Sequence, residues 1–284
     1  MTSTDTAGHS FAYYADLFSH PEAQGGGEVG AGESDVLADL LVELVASLRS
    51  EHSKGVMPRN RAWHERERVL AYASAEAETA DQAQGSLSVL RRALNVATTL
   101  MALRPWGAVA QWATPKLMVR DLAQVTRYLA REEKDSSGLT LDSRIRQRLH
   151  EALGDSPAVV VAHSLGTVVA LETLHDRRAP APLLVTLGSP LAMRTVVLPR
   201  LRPQPASTPE SVKRWLNFWD KDDIIAVRPQ LERDVRPNES GVLPCSSRID
   251  SDGIWVHSAE KYLAQPAVAG PVAEALTAAE RSAS

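Results

Sequence analysis

Pro157–Glu172 reads Pro-Ala-Val-Val-Val-Ala-His-Ser-Leu-Gly-Thr-Val-Val-Ala-Leu-Glu, and it divides at Ser164. Before the serine, Ala158 to Ala162 form a short apolar run rich in β-branched residues. Such a run predicts a buried parallel strand. After it, Thr167 to Leu171 form an apolar stretch suited to a buried helix. A strand that feeds a helix through one tight turn needs small residues beside the turn. Ala162 lies two before Ser164 and Gly166 lies two after. The spacing is that of a nucleophile elbow, Gly-x-Ser-x-Gly, with alanine at the first small position. The turn would hold the hydroxyl exposed. The first turn of the helix would aim backbone N–H groups at a site of developing negative charge. A plain strand-turn-helix with an incidental serine fits the five residues alone; the strand before and the helix after favour the elbow.

An exposed serine hydroxyl is a weak nucleophile. It needs a base, and the base needs a group that fixes its tautomer. In one known arrangement the three follow in the chain order Ser, Asp or Glu, His, on loops at the carboxyl ends of strands. Downstream, Leu183–Leu187 predicts a second buried strand, ending in Gly188-Ser189-Pro190. Val212–Trp219 predicts a third, followed at once by Asp220, Asp222 and Asp223. Asp223 is the preferred acid, because Ile224-Ile225-Ala226 can tuck under the sheet and fix its carboxylate. The competing reading is that these carboxylates cap the next turn. His257, in Gly-Ile-Trp-Val-His-Ser-Ala-Glu-Lys-Tyr-Leu, is the only histidine after Asp223 and so the one base that meets the order. Ser189 is read as a strand end, since a proline follows it. Ser258–Leu263 and Val268–Ala279 predict closing helices.

Upstream the pattern is helical. Phe11–Phe18 has the aromatic content of a strand, and Gln24–Gly32 is a Gly-rich loop without the Lys-Ser/Thr of a phosphate loop. Ser34 is a candidate N-cap for a helix whose apolar face is Leu37, Leu40, Leu41, Leu44, Val45 and Leu48. A second helical pattern runs from Asn60 to Leu103, a third from Pro115 to Glu133, and an amphipathic helix covers Leu141–Leu153. Ala93–Trp112 is read either as a lid over an acyl pocket or as ordinary helical core. His64-Glu65-Arg66-Glu67-Arg68 lacks the second histidine of a zinc motif and reads as a charged helix face. Three units are expected: residues 1–33 as an N-terminal strand and flexible loop, 34–133 as a helical insertion or lid region, and 134–284 as an α/β core. Strands alternating with helices predict a mostly parallel sheet.

Composition narrows the classes. In 284 residues, 44% hydrophobic and 23% charged residues suffice for a normal core, and a net charge of −4 implies no basic face for nucleic acid. Cys245 is the only cysteine, so no internal disulfide is possible. The start shows no secretory leader pattern and no stretch makes a good membrane span, so a cytoplasmic chain without a transmembrane segment is expected.

Four motifs in order carry a resemblance: Ala-His-Ser-Leu-Gly-Thr-Val-Val-Ala, Val-Thr-Leu-Gly-Ser-Pro-Leu, Trp-Leu-Asn-Phe-Trp-Asp-Lys-Asp-Asp-Ile-Ile-Ala and His-Ser-Ala-Glu-Lys-Tyr-Leu. Over about Pro157–Leu276, with a weaker echo in Tyr13–Phe18, the chain resembles α/β-hydrolase fold serine hydrolases, most closely lipase- and esterase-like bacterial enzymes. The resemblance implies a mostly parallel sheet with a large helical insertion. It matches Ser164 to the nucleophile, Asp223 to the triad acid, His257 to the base and the Leu165 N–H to one oxyanion donor. It implies hydrolysis of a small-molecule or lipid ester, with no cofactor and no metal. One departure stands out. Such enzymes carry near the start an apolar strand ending in His-Gly, whose loop gives the second oxyanion N–H. Here His9 follows Gly8 in reversed order and no strand precedes it. A clipped chain, a donor from another loop and an inactive site are the readings this departure leaves. The different-class alternative is a non-catalytic scaffold of the same fold that binds a partner through its helical insertion.

Overall fold

The structure is a computed structural model that describes residues 8, 10–18, 31–54, 61–80, 95–96, 115–220, 223, 225–226, 230–251 and 257–283. Its centre is a four-stranded sheet in which every pairing is parallel. The strands are β1 (Val160–His163), β2 (Leu184–Leu187), β3 (Trp215–Asp220) and β4 (Pro244–Ile249), in the spatial order β1-β2-β3-β4. The helices are α1 (Ala31–Lys54), α2 (Arg61–Ala80), α3 (Pro115–Ala130), α4 (Leu141–Leu153), α5 (Leu165–His175), α6 (Ala259–Leu263) and α7 (Pro266–Ala283). The class is α/β. Among the described residues no helix is long and apolar enough to cross a membrane.

Alternation along the strands sorts the core into two layers. Val160, Ala162, Leu184 and Trp215 face the layer that α5, α4, α3 and α1 close, where Leu171, Ile145, Tyr128, Leu41 and Leu44 are buried. Leu183, Val185, Leu187, Leu216 and Phe218 face the opposite layer, closed by Tyr262 of α6 and Val268 of α7. Among the described residues β1 is an edge strand, and its Val161, on the second face, is 38% exposed.

Two expectations differ from the structure, and one strand has no counterpart among them. Phe11–Phe18 is not a strand. Ala15–Phe18 is a turn of 3₁₀ helix, closed by the Leu17 N–H donating to the Tyr14 carbonyl at 3.0 Å. Strand propensity expresses packing against neighbouring strands, and among the described residues this segment meets helices instead. Its Ser10 hydroxyl donates to the Ala152 carbonyl, and Arg148 donates to the Tyr13 carbonyl and the Asp16 carboxylate. Ser34 is not an N-cap, because α1 already begins at Ala31. β4 was not anticipated from Pro-Cys-Ser-Ser-Arg-Ile; it forms as an edge strand with Cys245, Ser247 and Arg248 exposed. Of the lid candidate Ala93–Trp112, only Asn95 and Val96 are described, and Val96 is buried in the first layer. The rest of that segment, His9 and Asp222 lie outside the described residues.

Candidate active site

Parallel pairing brings the carboxyl ends of all four strands to one edge. The Ser164 N–H donates to the Leu187 carbonyl at 3.0 Å, and the Gly188 N–H donates to the Phe218 carbonyl at 3.1 Å. Ser164, Gly188 and the chain after Phe218 therefore stand side by side just beyond the sheet. Ser164 is the turn between β1 and α5, with φ 52° and ψ −129°. A non-glycine residue there is strained by about 1–3 kcal/mol, and such strain persists only where the surroundings impose it. The Thr167 N–H and hydroxyl both donate to the Ser164 carbonyl, at 2.9 and 2.7 Å. The Thr167 hydroxyl also meets that of Ser189 at 2.8 Å, which places buried Ser189 in the turn's support.

The structure brings together the three polar residues singled out in the sequence. Ser164 Oγ lies 2.9 Å from His257 Nε2, and His257 Nδ1 lies 2.8 Å from Asp223 Oδ2. The geometry fits the neutral imidazole with its proton on Nδ1, so that Nε2 presents a lone pair to the serine hydroxyl. Asp223 is fully out of solvent. Burial works against its charge, but His257, the Tyr262 hydroxyl and the Ile225 N–H outweigh it and hold the carboxyl below its ordinary range. The Ile225 N–H donates to Oδ1 at 2.9 Å and so anchors the carboxylate. Leu165 begins α5, and helix geometry leaves its N–H and that of Gly166 without intrahelical partners.

Asp220 has a different place. It ends β3, buried, and its Oδ2 accepts the Ser251 N–H and hydroxyl, both at 2.6 Å. It pins the chain after β4 to β3.

Three further residues shape the site. Tyr262 is buried, donates to Asp223 Oδ2 at 2.8 Å and accepts the Asp220 N–H at 3.1 Å. Burial and the neighbouring Asp223 charge keep its phenol protonated. It sits five residues after His257 on the same turn-and-helix, a spacing visible in the sequence but without a recognised role. Gly188, at φ +52°, has no room for a side chain: a Cβ there would sit 2.6 Å from Asp223 Oδ2 and 3.2 Å from His257 Nδ1. The Gly-Ser-Pro punctuation marked a strand end but not this contact. His163 lies against His257, with ring centroids 4.6 Å apart and ring planes tilted by 45°. Burial, then the nearby His257, depress its pKa to about 3, so it is a neutral neighbour.

Among the described residues no group of three or more His, Cys, Asp or Glu side chains is arranged to hold a metal ion. His64 is exposed on α2. Comparison with known proteins finds no family, curated protein or solved structure that matches the chain.

Proposed function

We propose that this chain is a serine hydrolase of the α/β-hydrolase type that cleaves carboxylic esters through an acyl-Ser164 intermediate. The observation that carries the reading is the unbroken relay from Ser164 Oγ through His257 to buried Asp223, at 2.9 and 2.8 Å, on loops at one end of a parallel sheet. A hydroxyl that hands its proton to an oriented imidazole at the head of a helix is built to attack a carbonyl.

In the proposed reaction, Ser164 Oγ bonds to the ester carbonyl carbon while its proton passes to His257 Nε2. The imidazolium is stabilised by Asp223. The carbonyl oxygen takes the negative charge and accepts the Leu165 N–H. Collapse breaks the bond to the leaving oxygen, which takes the proton from His257 and departs as the alcohol. Water then attacks the acyl-serine by the same route, giving the carboxylic acid and restoring the hydroxyl.

The test is a p-nitrophenyl acetate assay with fluorophosphonate labelling, comparing wild type, Ser164→Ala, Asp223→Asn and Asp220→Asn. Ser164→Ala should remove both turnover and label. Asp223→Asn should lower kcat by about 10⁴-fold, as loss of the tautomer-fixing acid does in such triads. Asp220→Asn should act on thermal stability far more than on rate. Equal rates in wild type and Ser164→Ala would return the chain to the scaffold reading.

A further inference from the structure

Among the described residues the serine reading assigns the developing oxyanion one backbone donor, Leu165, and a tyrosine hydroxyl lies close to the next residue of that helix. Tyr14 Oη lies 3.3 Å from where a Cβ on Gly166 would stand. Gly166 is the second residue of α5, next to Leu165 and two from Ser164. One carbon–carbon bond being about 1.5 Å, the hydroxyl is no further than about 5 Å from the Gly166 Cα. Among the described residues it has no hydrogen-bond partner. A half-buried phenol packed on the core commonly finds one.

The segment that carries Tyr14 is held in place from several sides. Ser10 donates to the Ala152 carbonyl at 3.0 Å, Arg148 to the Tyr13 carbonyl at 3.1 Å and to Asp16 at 2.5 Å, and Arg127 to the Phe18 carbonyl at 3.0 Å. Leu17 is buried in the first layer, and the rings of Tyr14 and Phe18 meet edge to face at 6.4 Å. This nine-residue segment, Ser10–Phe18, which has no strand partner among the described residues, is thus fastened to α3 and α4, and its Tyr14 reaches the head of α5. A methyl group on Gly166 would press on the phenol, at 3.3 Å.

We propose that the Tyr14 hydroxyl is the second oxyanion donor, a side-chain O–H standing where a backbone N–H is otherwise expected. The inference rests on the ester-hydrolase reading above. During attack the hydroxyl keeps its proton and donates it as a hydrogen bond to the carbonyl oxygen while the Ser164 Oγ–carbon bond forms. It releases that bond when the carbonyl re-forms. Burial raises its pKa to about 12, so the phenol stays a donor from pH 6 to 9.

The experiment compares wild type, Ser164→Ala and Tyr14→Phe on p-nitrophenyl acetate from pH 6 to 9, with thermal melts of each. Loss of one oxyanion donor predicts a kcat for Tyr14→Phe lower by about 10²-fold, with KM changed less than about twofold and the same factor at every pH. Gly166→Ala is the second arm. Its methyl meets the hydroxyl at 3.3 Å, so it should slow the wild type but have little further effect in the Tyr14→Phe background. This non-additivity separates a donor from a merely structural ring if the Tyr14→Phe melt is lowered. Ser164-dependent turnover with a Tyr14→Phe kcat within about threefold of wild type, or additive effects in the cycle, would overturn this inference alone. Equal rates in wild type and Ser164→Ala would overturn it together with the hydrolase reading.

Discussion

At Gly188 the candidate site has no room for a methyl group. The Asp223 oxygen that a Cβ would strike already accepts His257 and Tyr262, so it cannot retreat without breaking one of those bonds. The positive φ adds strain for any other residue. Gly188→Ala should therefore shift the acid–base pair and lower Ser164-dependent ester hydrolysis by about 10²-fold or more, the scale expected of a 1 Å misplacement. A p-nitrophenyl ester assay beside a thermal melt checks it, and an unchanged rate would mean that Asp223 and His257 do not work as a pair. The contrast with Ser164, Asp223 and His257 explains what the sequence discloses. Those three could be picked out because punctuation and chain order are local or ordinal signals: small residues around one serine, a carboxylate after a strand, one histidine left over. Gly188 and Tyr262 matter through contacts across the fold, and neither a strand-ending glycine nor a helical tyrosine announces such a contact.

The elements divide in the same way. β1 and β2 are readable because their runs are short, largely apolar and rich in β-branched residues, and α4 because its amphipathic pattern is undisturbed. β4 was not, because an edge strand with one wet face needs no apolar run; the ladder to β3 and the Asn217–Ser246 bond hold it. Nor could the sequence show how α1 is used. Glu43 on α1 accepts the backbone N–H groups of Arg194, Thr195 and Val196, and so ties the helical stretch to the loop after β2. At the end of β1, His163 makes a pH-dependent element. It lies against His257 and Tyr262, its Nε2 has no hydrogen-bond partner among the described residues, and burial first and His257 second lower its pKa from 6.5 to about 3. The folded state therefore holds it neutral while the unfolded chain protonates it below 6.5. Its contribution to stability is complete above pH 6.5 and is lost as pH falls towards 3. Denaturant melts between pH 4 and 7 should show wild type losing stability more steeply than His163→Phe. Parallel slopes would mean that His163 is not held neutral.

Across the whole molecule, the helical half and the sheet share one core and one buried charge network. The first layer takes Leu37, Leu44 and Tyr128 from the helical stretch and Val160, Leu184 and Trp215 from the sheet. Behind it, Arg131 binds Asp142 of α4 and Glu172 of α5, each at 2.6 Å, while Glu172 also accepts the Tyr128 hydroxyl of α3 at 2.7 Å and the Arg202 N–H at 2.9 Å. Arg131 itself adopts φ 57° to reach both carboxylates. Glu172 lies on α5, the helix that begins at Ser164, so the network fastens the nucleophile's helix to α3, α4 and the loop after β2. The net gain from burying such a cluster is small, because desolvation offsets most of the attraction, but removing Glu172 leaves Arg131 with Asp142 as its one carboxylate partner among the described residues and takes the acceptor from the buried Tyr128 hydroxyl and the Arg202 N–H. Glu172→Ala should therefore cost about 3–5 kcal/mol of unfolding free energy. The two halves should also fail together. The near-ultraviolet signal, to which Trp215 in the sheet layer contributes, and the far-ultraviolet signal, dominated by the helices, should shift to lower denaturant by the same amount and remain coincident. If the far-ultraviolet transition stays in place while the near-ultraviolet one moves, the helical half is held by its own contacts, and neither the network nor the shared layer binds it to the sheet.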